Sequence, residues 1–141
     1  ERLEQIIKKI RWPSADTVGK KGEMAAWLIV QHADNNVKFQ AKCLKLLKKF
    51  PLTKERKQHI AYLTDRVLVN IHQKQLYGTQ FYKKKGKLIP RPIQIPKDLG
   101  KRREEMNLEP FDIYKKRLLQ FNKNFDKKRN QKKLQKAPDH N

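Results

Sequence analysis

The sequence has little sulfur and little serine. Cys43 is the only cysteine among 141 residues, which excludes an internal disulfide. Within the stretch AKCLKLLKKF, we interpret Cys43 as a small buried hydrophobe rather than a nucleophile. Ser14 is the only serine and stands in a turn-forming stretch, which argues against serine hydrolase chemistry. Walker, Rossmann and GxSxG motifs are also absent, so the common nucleotide-binding and esterase classes are disfavoured.

Long apolar runs and spaced metal ligands are missing too. The longest apolar run, MAAWLIV, is far shorter than the ~20 residues that span a bilayer, so we predict no membrane span. A zinc site from His32, His59, His72 and Asp65 is conceivable. No HExxH or CxxC spacing supports it, however, and we predict neither a metal nor another cofactor.

Acidic residues are scarce relative to basic ones. The chain carries 35 Lys and Arg against 14 Asp and Glu, for a net charge of +21. Such a charge predicts attraction to nucleic acid, to acidic membranes or to acidic partner proteins. The alternative is that the lysines only keep the protein surface solvated. Most of the basic residues are lysines, whereas arginine is the residue that binds a phosphate through two parallel hydrogen bonds.

The apolar residues that are present recur at helical spacing. They predict helices at about 1–11, 20–33, 37–49, 54–72, 97–106 and 110–125. The 20–33 segment is the most apolar, so we expect it to be the central and most buried helix.

A change of pattern near residues 75–95 predicts a small β-hairpin, because β-forming residues flank KKKG with Gly86 in the turn. We therefore predict a mainly α fold, a single domain of five or six helices over residues 1–125. Residues 126–141 are basic and have almost nothing to bury, so we predict a disordered tail there.

A charged pair interrupts the apolar pattern of HIAYLTDRVLVN. Asp65 and Arg66 are flanked by Leu, Val and Tyr, and a buried charge in such a place needs a partner. One interpretation is an inter-helix salt bridge, and the other is a carboxylate and a guanidinium that line a pocket.

The QHAD stretch, residues 31–34, closes the most apolar segment. His32 shares a helical face with Leu28, and a lone histidine there is most often a satisfied core residue. Helix ends also line clefts, and a histidine paired with a carboxylate transfers protons near neutral pH. We therefore predict His32 and Asp65 as a catalytic pair within hydrogen-bond reach, directly or through one water. Asp34 is interpreted as a helix terminator.

The QLYGTQ stretch, residues 75–80, is dense in hydrogen-bonding side chains. It is either a β-turn with solvent-facing glutamines or a segment that positions a substrate. The predicted substrate-binding residues are Gln31, Arg66, Gln75, Tyr77, Thr79, Gln80 and Arg91.

Several of these stretches occur together in one known family. AAWLIVQHAD, HIAYLTDRVLVN, QLYGTQF and RREEMNLEPFDIY resemble, in that order, the domain-of-unknown-function 6624 family of bacterial proteins. The resemblance covers about residues 12–114. The family has no settled activity. The resemblance therefore implies which positions match the family, but it does not imply what chemistry they perform. The matching positions are Trp12, Pro13, Trp27, Gln31, His32, Asp34, Asp65, Arg66, Gln75, Tyr77, Gly78, Thr79, Gln80, Pro92 and Arg103. The heavy lysine content and the tail of this chain depart from that family.

Two functions follow from these features. The first is a small enzyme that uses His32 and Asp65 on an anionic substrate, RNA or a nucleotide first, as a metal-independent hydrolase or nuclease. A toxin-type domain, which an acidic inhibitor or immunity protein would bind, is one form of it. The alternative is a non-catalytic helical module that binds nucleic acid or an acidic partner protein.

The cellular location is left open by the sequence. We expect a cytoplasmic protein, or one secreted as part of a larger protein. The chain begins at Glu1 rather than Met, which leaves open that it is a fragment.

Overall fold

The computed structural model of the chain describes residues 2–134. Over these residues the fold is mainly helical with one small antiparallel hairpin, which confirms the predicted fold class. The helices are α1 (Arg2–Ile10), α2 (Ala15–Gln31), α3 (Val37–Leu47), α4 (Lys54–Asn70), α5 (Leu99–Glu105) and α6 (Phe111–Leu134). The strands are β1 (Phe81–Lys84) and β2 (Lys87–Pro90), and a 3-10 turn at Pro96–Asp98 precedes α5.

The main core is formed by α1 to α4 and the turn after α1. Its buried members include Trp12, Val30, Cys43, Leu47 and Leu63. The interpretation of Cys43 as a core residue agrees with this position, since burial raises the pKa of its thiol to about 12. At that pKa the thiolate nucleophile is not populated near neutral pH.

Side-chain caps fix where two of these helices begin. The Asn36 side chain accepts a hydrogen bond from the Phe39 amide at the start of α3. Thr53 accepts from the Arg56 amide at the start of α4. Each cap satisfies an amide that has no partner within its helix.

The prediction that the second helix is the most buried one is wrong. Met24, Leu28 and Ile29 of α2 are 42%, 43% and 55% exposed, while Ala26 and Val30 face the core. A helix that is apolar on every side carries no polar stripe to mark its solvent face. The sequence therefore could not show which side of α2 packs inward.

The hairpin near 75–95 follows the prediction. Its register pairs Phe81 with Pro90 and Lys84 with Lys87. Lys85 and Gly86 form the turn between them, with φ of 47° and 75°. Two consecutive positive φ values are typical of the tight turn that matches the twist of a hairpin.

The last helix runs further than the sequence indicated. α6 continues to Leu134, whereas we predicted a helix end near 125 and a disordered tail from 126. Residues 126–134 contain no Pro or Gly, so local preference sustains the helix although little of it is buried. The rest of the predicted tail, 135–141, lies outside the described residues. None of the described helices has the length and apolarity to cross a membrane.

Candidate functional site

Asp65 is the centre of the most buried polar cluster. Its side chain is 0% exposed, although it lies on α4 among apolar neighbours. Oδ1 accepts hydrogen bonds from the amides of Leu76 (2.8 Å) and Tyr77 (3.0 Å). Oδ2 accepts from the amide and from the hydroxyl of Thr79, both at 2.9 Å. Burial raises the pKa of Asp65, and these donors oppose that effect. The carboxylate thus folds the 75–80 loop onto α4.

The loop itself is closed by further contacts. Gly78 has φ of 68°, and a Cβ at this position would lie 2.8 Å from the Phe111 ring, so glycine is required twice over. The Arg103 guanidinium donates to the carbonyl of Tyr77, and the Tyr114 hydroxyl donates to the carbonyl of Thr79 at 3.1 Å. α5 and α6 therefore pack the loop from its other side.

The two glutamines of the loop face inward rather than toward solvent. Gln75 is 0% exposed, and its amide group donates to the carbonyls of Gln80 (3.0 Å) and Arg91 (2.8 Å). The Gln75 Oε1 accepts from the Gln80 amide at 2.8 Å. Arg91 itself is exposed and stacks over the Tyr82 ring at 4.7 Å. The interpretation of QLYGTQ as a turn or strand start with solvent-facing glutamines is wrong on the glutamines, since both side chains are buried. Their role in substrate binding stays a prediction.

Arg66 forms a salt bridge, as one of the two interpretations expected, but its partner Asp34 lies in the link between α2 and α3 rather than on a helix. Its Nε and a terminal nitrogen donate to the two carboxylate oxygens of Asp34 at 2.8 and 2.5 Å. Its other terminal nitrogen donates to Gln80 at 3.0 Å. The hydrogen bond from Arg66 lowers the pKa of Asp34 to about 2. Asp34, interpreted from the sequence as a helix terminator only, is thus the partner that ties the link between α2 and α3 to α4.

His32 stands apart from this network. It is the C-cap residue of α2 and its side chain is exposed. All donors to Asp65 come from residues 76–79, and no hydrogen bond joins His32 to Asp65 in the part of the chain that the structure describes. The predicted direct hydrogen bond between His32 and Asp65 is therefore not formed. His32 is exposed, so it is not a buried core histidine either. A catalytic role for His32 stays a prediction.

Gln40 and Asn70 belong to the same network, although the sequence prediction left them out. Gln40 is 0% exposed and donates to the Val30 carbonyl at the end of α2 at 3.0 Å. The Asn70 amide donates to Gln40 at 3.0 Å and to Asp34 at 2.9 Å. One signal was available: Gln40 shares the inward face of α3 with Cys43 and Leu47, and a glutamine there needs buried partners. Gln31, a predicted substrate residue, is buried beside them, and its Oε1 has no hydrogen-bond partner among residues 2–134.

A separate cleft of about 470 Å³ lies between the start of α2 and the start of α4. Glu23 accepts there from the Trp12 indole at 3.1 Å and from Arg56 at 3.0 Å. His59 stacks on Trp27 with ring centroids 4.3 Å apart, and burial lowers its pKa. No sequence pattern joins these residues, because they are far apart along the chain. Over residues 2–134, no group of three His, Cys, Asp or Glu side chains could hold a metal ion.

A family assignment agrees with the extent of this fold. The family model of DUF6624, described as a family of unknown function, matches residues 1–126. The chain belongs to this family. The match includes α1 to α5, the hairpin and the first part of α6, so all of the clusters above lie within the DUF6624 region. No curated protein and no solved structure gives a significant match to the chain.

Several lysines of this DUF6624 protein lie together on the surface, away from the buried polar groups described above. Lys38, Lys42, Lys45 and Lys49 are exposed along α3 and the turn that follows it. None of them has an ion-pair or hydrogen-bond partner within the described residues. Lys8 of α1 reaches the same surface and shares a groove of about 220 Å³ with Lys38 and Lys42.

Proposed function

We propose that this protein is a non-catalytic helical module that binds nucleic acid, with RNA as the first candidate. The observation that carries the proposal is the α3 lysine face, defined as Lys38, Lys42, Lys45 and Lys49. These side chains are exposed and have no acidic partner in the part of the chain that the structure describes. Unpaired cations on one surface attract a polyanion and release its counterions on binding.

The spacing of the α3 lysine face suits a phosphate backbone. Lys38, Lys42 and Lys45 occupy positions i, i+4 and i+7 of α3, which fall within an arc of about 60° and extend over about 10 Å, and Lys49 lies in the turn that follows. A stacked strand rises about 3.4 Å per nucleotide, so this length covers roughly three phosphates. Lys8 widens the face on the α1 side.

The buried polar cluster supports binding over catalysis. General acid–base chemistry needs a group that can reach a substrate proton at about 2.6–3.2 Å. Both oxygens of Asp65 are instead occupied by the 76–79 backbone and Thr79, and Arg66 is occupied by Asp34 and Gln80. These residues hold α2, α4 and the loop together, and the exposed lysines are the groups free to meet a partner.

The test is a binding titration of the full chain against a fluorescently labelled RNA oligonucleotide, followed by anisotropy. The lysine-face variant replaces Lys38, Lys42, Lys45 and Lys49 with Gln. The matched control replaces Lys21, Lys54, Lys74 and Lys97, which are exposed and scattered over other elements. Both variants lose the same charge. We expect affinity to fall about tenfold or more in the lysine-face variant and much less in the control.

The fate of the RNA separates the two candidate functions. Mass spectrometry of the RNA after incubation should show intact strands. Equal losses of affinity in the two variants would mean that net charge, not this face, attracts RNA. Cleavage by the wild-type protein that disappears in His32→Ala would overturn the non-catalytic assignment and favour the enzyme.

A further inference from the structure

Two phenylalanines stand out near the middle of α6. Phe121 is 67% exposed, the largest value among the exposed large hydrophobic side chains of the described residues, and Phe125 is 57% exposed, equal to Leu52. Neither ring contacts another aromatic ring over residues 2–134, whereas Phe81, Phe111 and Tyr114 stack within one cluster. Exposed aromatic rings are costly to leave in water, so a neighbouring pair suggests a partner.

The same side of α6 carries basic residues. Lys128 and Lys132 fall within about 40° of Phe121 around the helix, and Phe125 does too. Both lysines are exposed and have no ion-pair partner among the described residues. Asp126, which pairs with Lys83 of β1 at 3.3 Å, lies about 140° from Phe121. The hairpin therefore contacts another side of α6 and leaves this one open.

We propose that Phe121, Phe125, Lys128 and Lys132, the α6 aromatic face, bind single-stranded nucleic acid. One base inserts between the two rings, and the lysines meet the adjoining phosphates. The inference rests on the proposed function, since it names the form of nucleic acid that the module selects. Aromatic rings combined with cations are the usual means of holding unpaired bases, because every base has a π-face.

The spacing of the two rings agrees with this arrangement. Side chains at i and i+4 are about 5–6 Å apart at Cβ, and their ends can diverge further. A base stacked between two rings needs about 6.8 Å, twice the 3.4 Å of a stacked step. In a duplex each base is already stacked on its neighbours. To place a base between Phe121 and Phe125, the duplex would first have to unstack it, which costs a few kcal/mol per step. The face should therefore prefer single strands.

Other occupants fit the charges less well. A second copy of the chain would bring like charges together, since Lys128 and Lys132 share this face and Arg129 lies about 40° from Phe125 around the helix. A membrane-surface helix needs a continuous apolar face, and here Lys128 and Lys132 follow the two phenylalanines directly. An acidic protein would pair the lysines but offers no flat ring for the gap between Phe121 and Phe125.

The experiment compares single-stranded RNA with a duplex of the same sequence, using the full chain. A 2-aminopurine base in the single strand reports stacking through the loss of its fluorescence. The test variant is Phe121→Ala with Phe125→Ala. The matched control is Leu28→Ala with Ile29→Ala, which removes two exposed aliphatic side chains from another helix, α2. Circular dichroism checks that both variants remain helical.

We expect the wild type and the control to bind the single strand tighter and to quench 2-aminopurine. The phenylalanine variant should lose about 10- to 100-fold in single-strand affinity and lose the quenching, while duplex affinity stays within about twofold. Unchanged single-strand affinity and quenching in that variant would overturn this inference and leave the proposed function intact. Absence of binding to either RNA would overturn the proposed function itself. Polyglutamate bound as tightly as RNA, with an equal loss in the variant, would assign the face to an acidic protein.

Discussion

Replacing Asp65 with alanine is the sharpest test of how the polar cluster works. The substitution leaves the amides of Leu76, Tyr77 and Thr79 and one hydroxyl without their acceptor, at a site where Asp65 is 0% exposed. Each unsatisfied buried donor costs about 1–3 kcal/mol, but water entering the space and loop relaxation recover part of it. We therefore expect a loss of about 3–5 kcal/mol in the free energy of unfolding, near the cost of breaking a buried charged pair.

Urea unfolding followed by circular dichroism measures that loss. For a chain of this size the melting temperature should fall by about 10–20 °C. Hydrogen exchange should also become faster at the amides of residues 76, 77 and 79, before global unfolding. The control is Asp98→Ala, because Asp98 is exposed at a helix N-cap and its side chain makes no capping hydrogen bond. A loss for Asp65→Ala no larger than for Asp98→Ala would refute the structural role and reopen a catalytic one.

Three further substitutions test other parts of the structure. Gly78→Ala should cost about 2 kcal/mol or more in stability and clearly exceed Gly86→Ala, because both glycines have positive φ but only Gly78 also meets a ring, that of Phe111; equal losses by urea unfolding would mean that the ring contact has no effect. His59→Phe keeps the stacking on Trp27 and removes a group whose folded-state pKa burial lowers from 6.5. The unfolded state then binds more protons, so wild-type stability should fall as pH drops below about 6.5, and a urea midpoint series should show a shallower fall in the variant; parallel curves would contradict this. Asp34→Asn should be less stable than the wild type by about 1 kcal/mol, a value discounted for partial exposure. Since Arg66 lowers the pKa of Asp34 from 3.8 to about 2, that difference should be constant above about pH 4 and decline as the pH falls through about 2; a difference of unchanged size below pH 2 would rule out the ion pair as its source.

Local signals predicted most of the fold. Thr53 before a polar helix start, Gly86 after a lysine run and the helical spacing of the apolar residues each determine structure within a few neighbours. The side of α2 that packs inward depends instead on what α3 and α4 present to it. That information lies in residues far along the chain, so Leu28 and His32 were assigned to the wrong surroundings.

The polar cluster was predicted only in part of its membership, since Gln40 and Asn70 were missed, and its pairing was not predicted. Asp65, Arg66 and the QLYGTQ loop do come together, since unusual polar residues in apolar helices must find partners. Which donor meets which acceptor depends on the angle between helices, and sequence spacing does not give that angle. Asp65 therefore bonds loop amides rather than His32, and Arg66 finds Asp34. The Glu23, Arg56 and His59 cleft had no local signal at all.

The salt dependence of RNA binding tests the central claim most directly. Affinity measured by anisotropy over a salt series gives a slope of log Kd against log salt, and each phosphate contact to a single strand contributes about 0.7. The account predicts a steep slope for the wild-type protein that falls by about 2–3 when Lys38, Lys42, Lys45 and Lys49 are replaced by Gln, because about four contacts are removed. The scattered control with Lys21, Lys54, Lys74 and Lys97 replaced should keep the wild-type slope. A flat wild-type slope, or the same slope in all three proteins, would contradict the assignment of the α3 lysine face as the nucleic-acid interface.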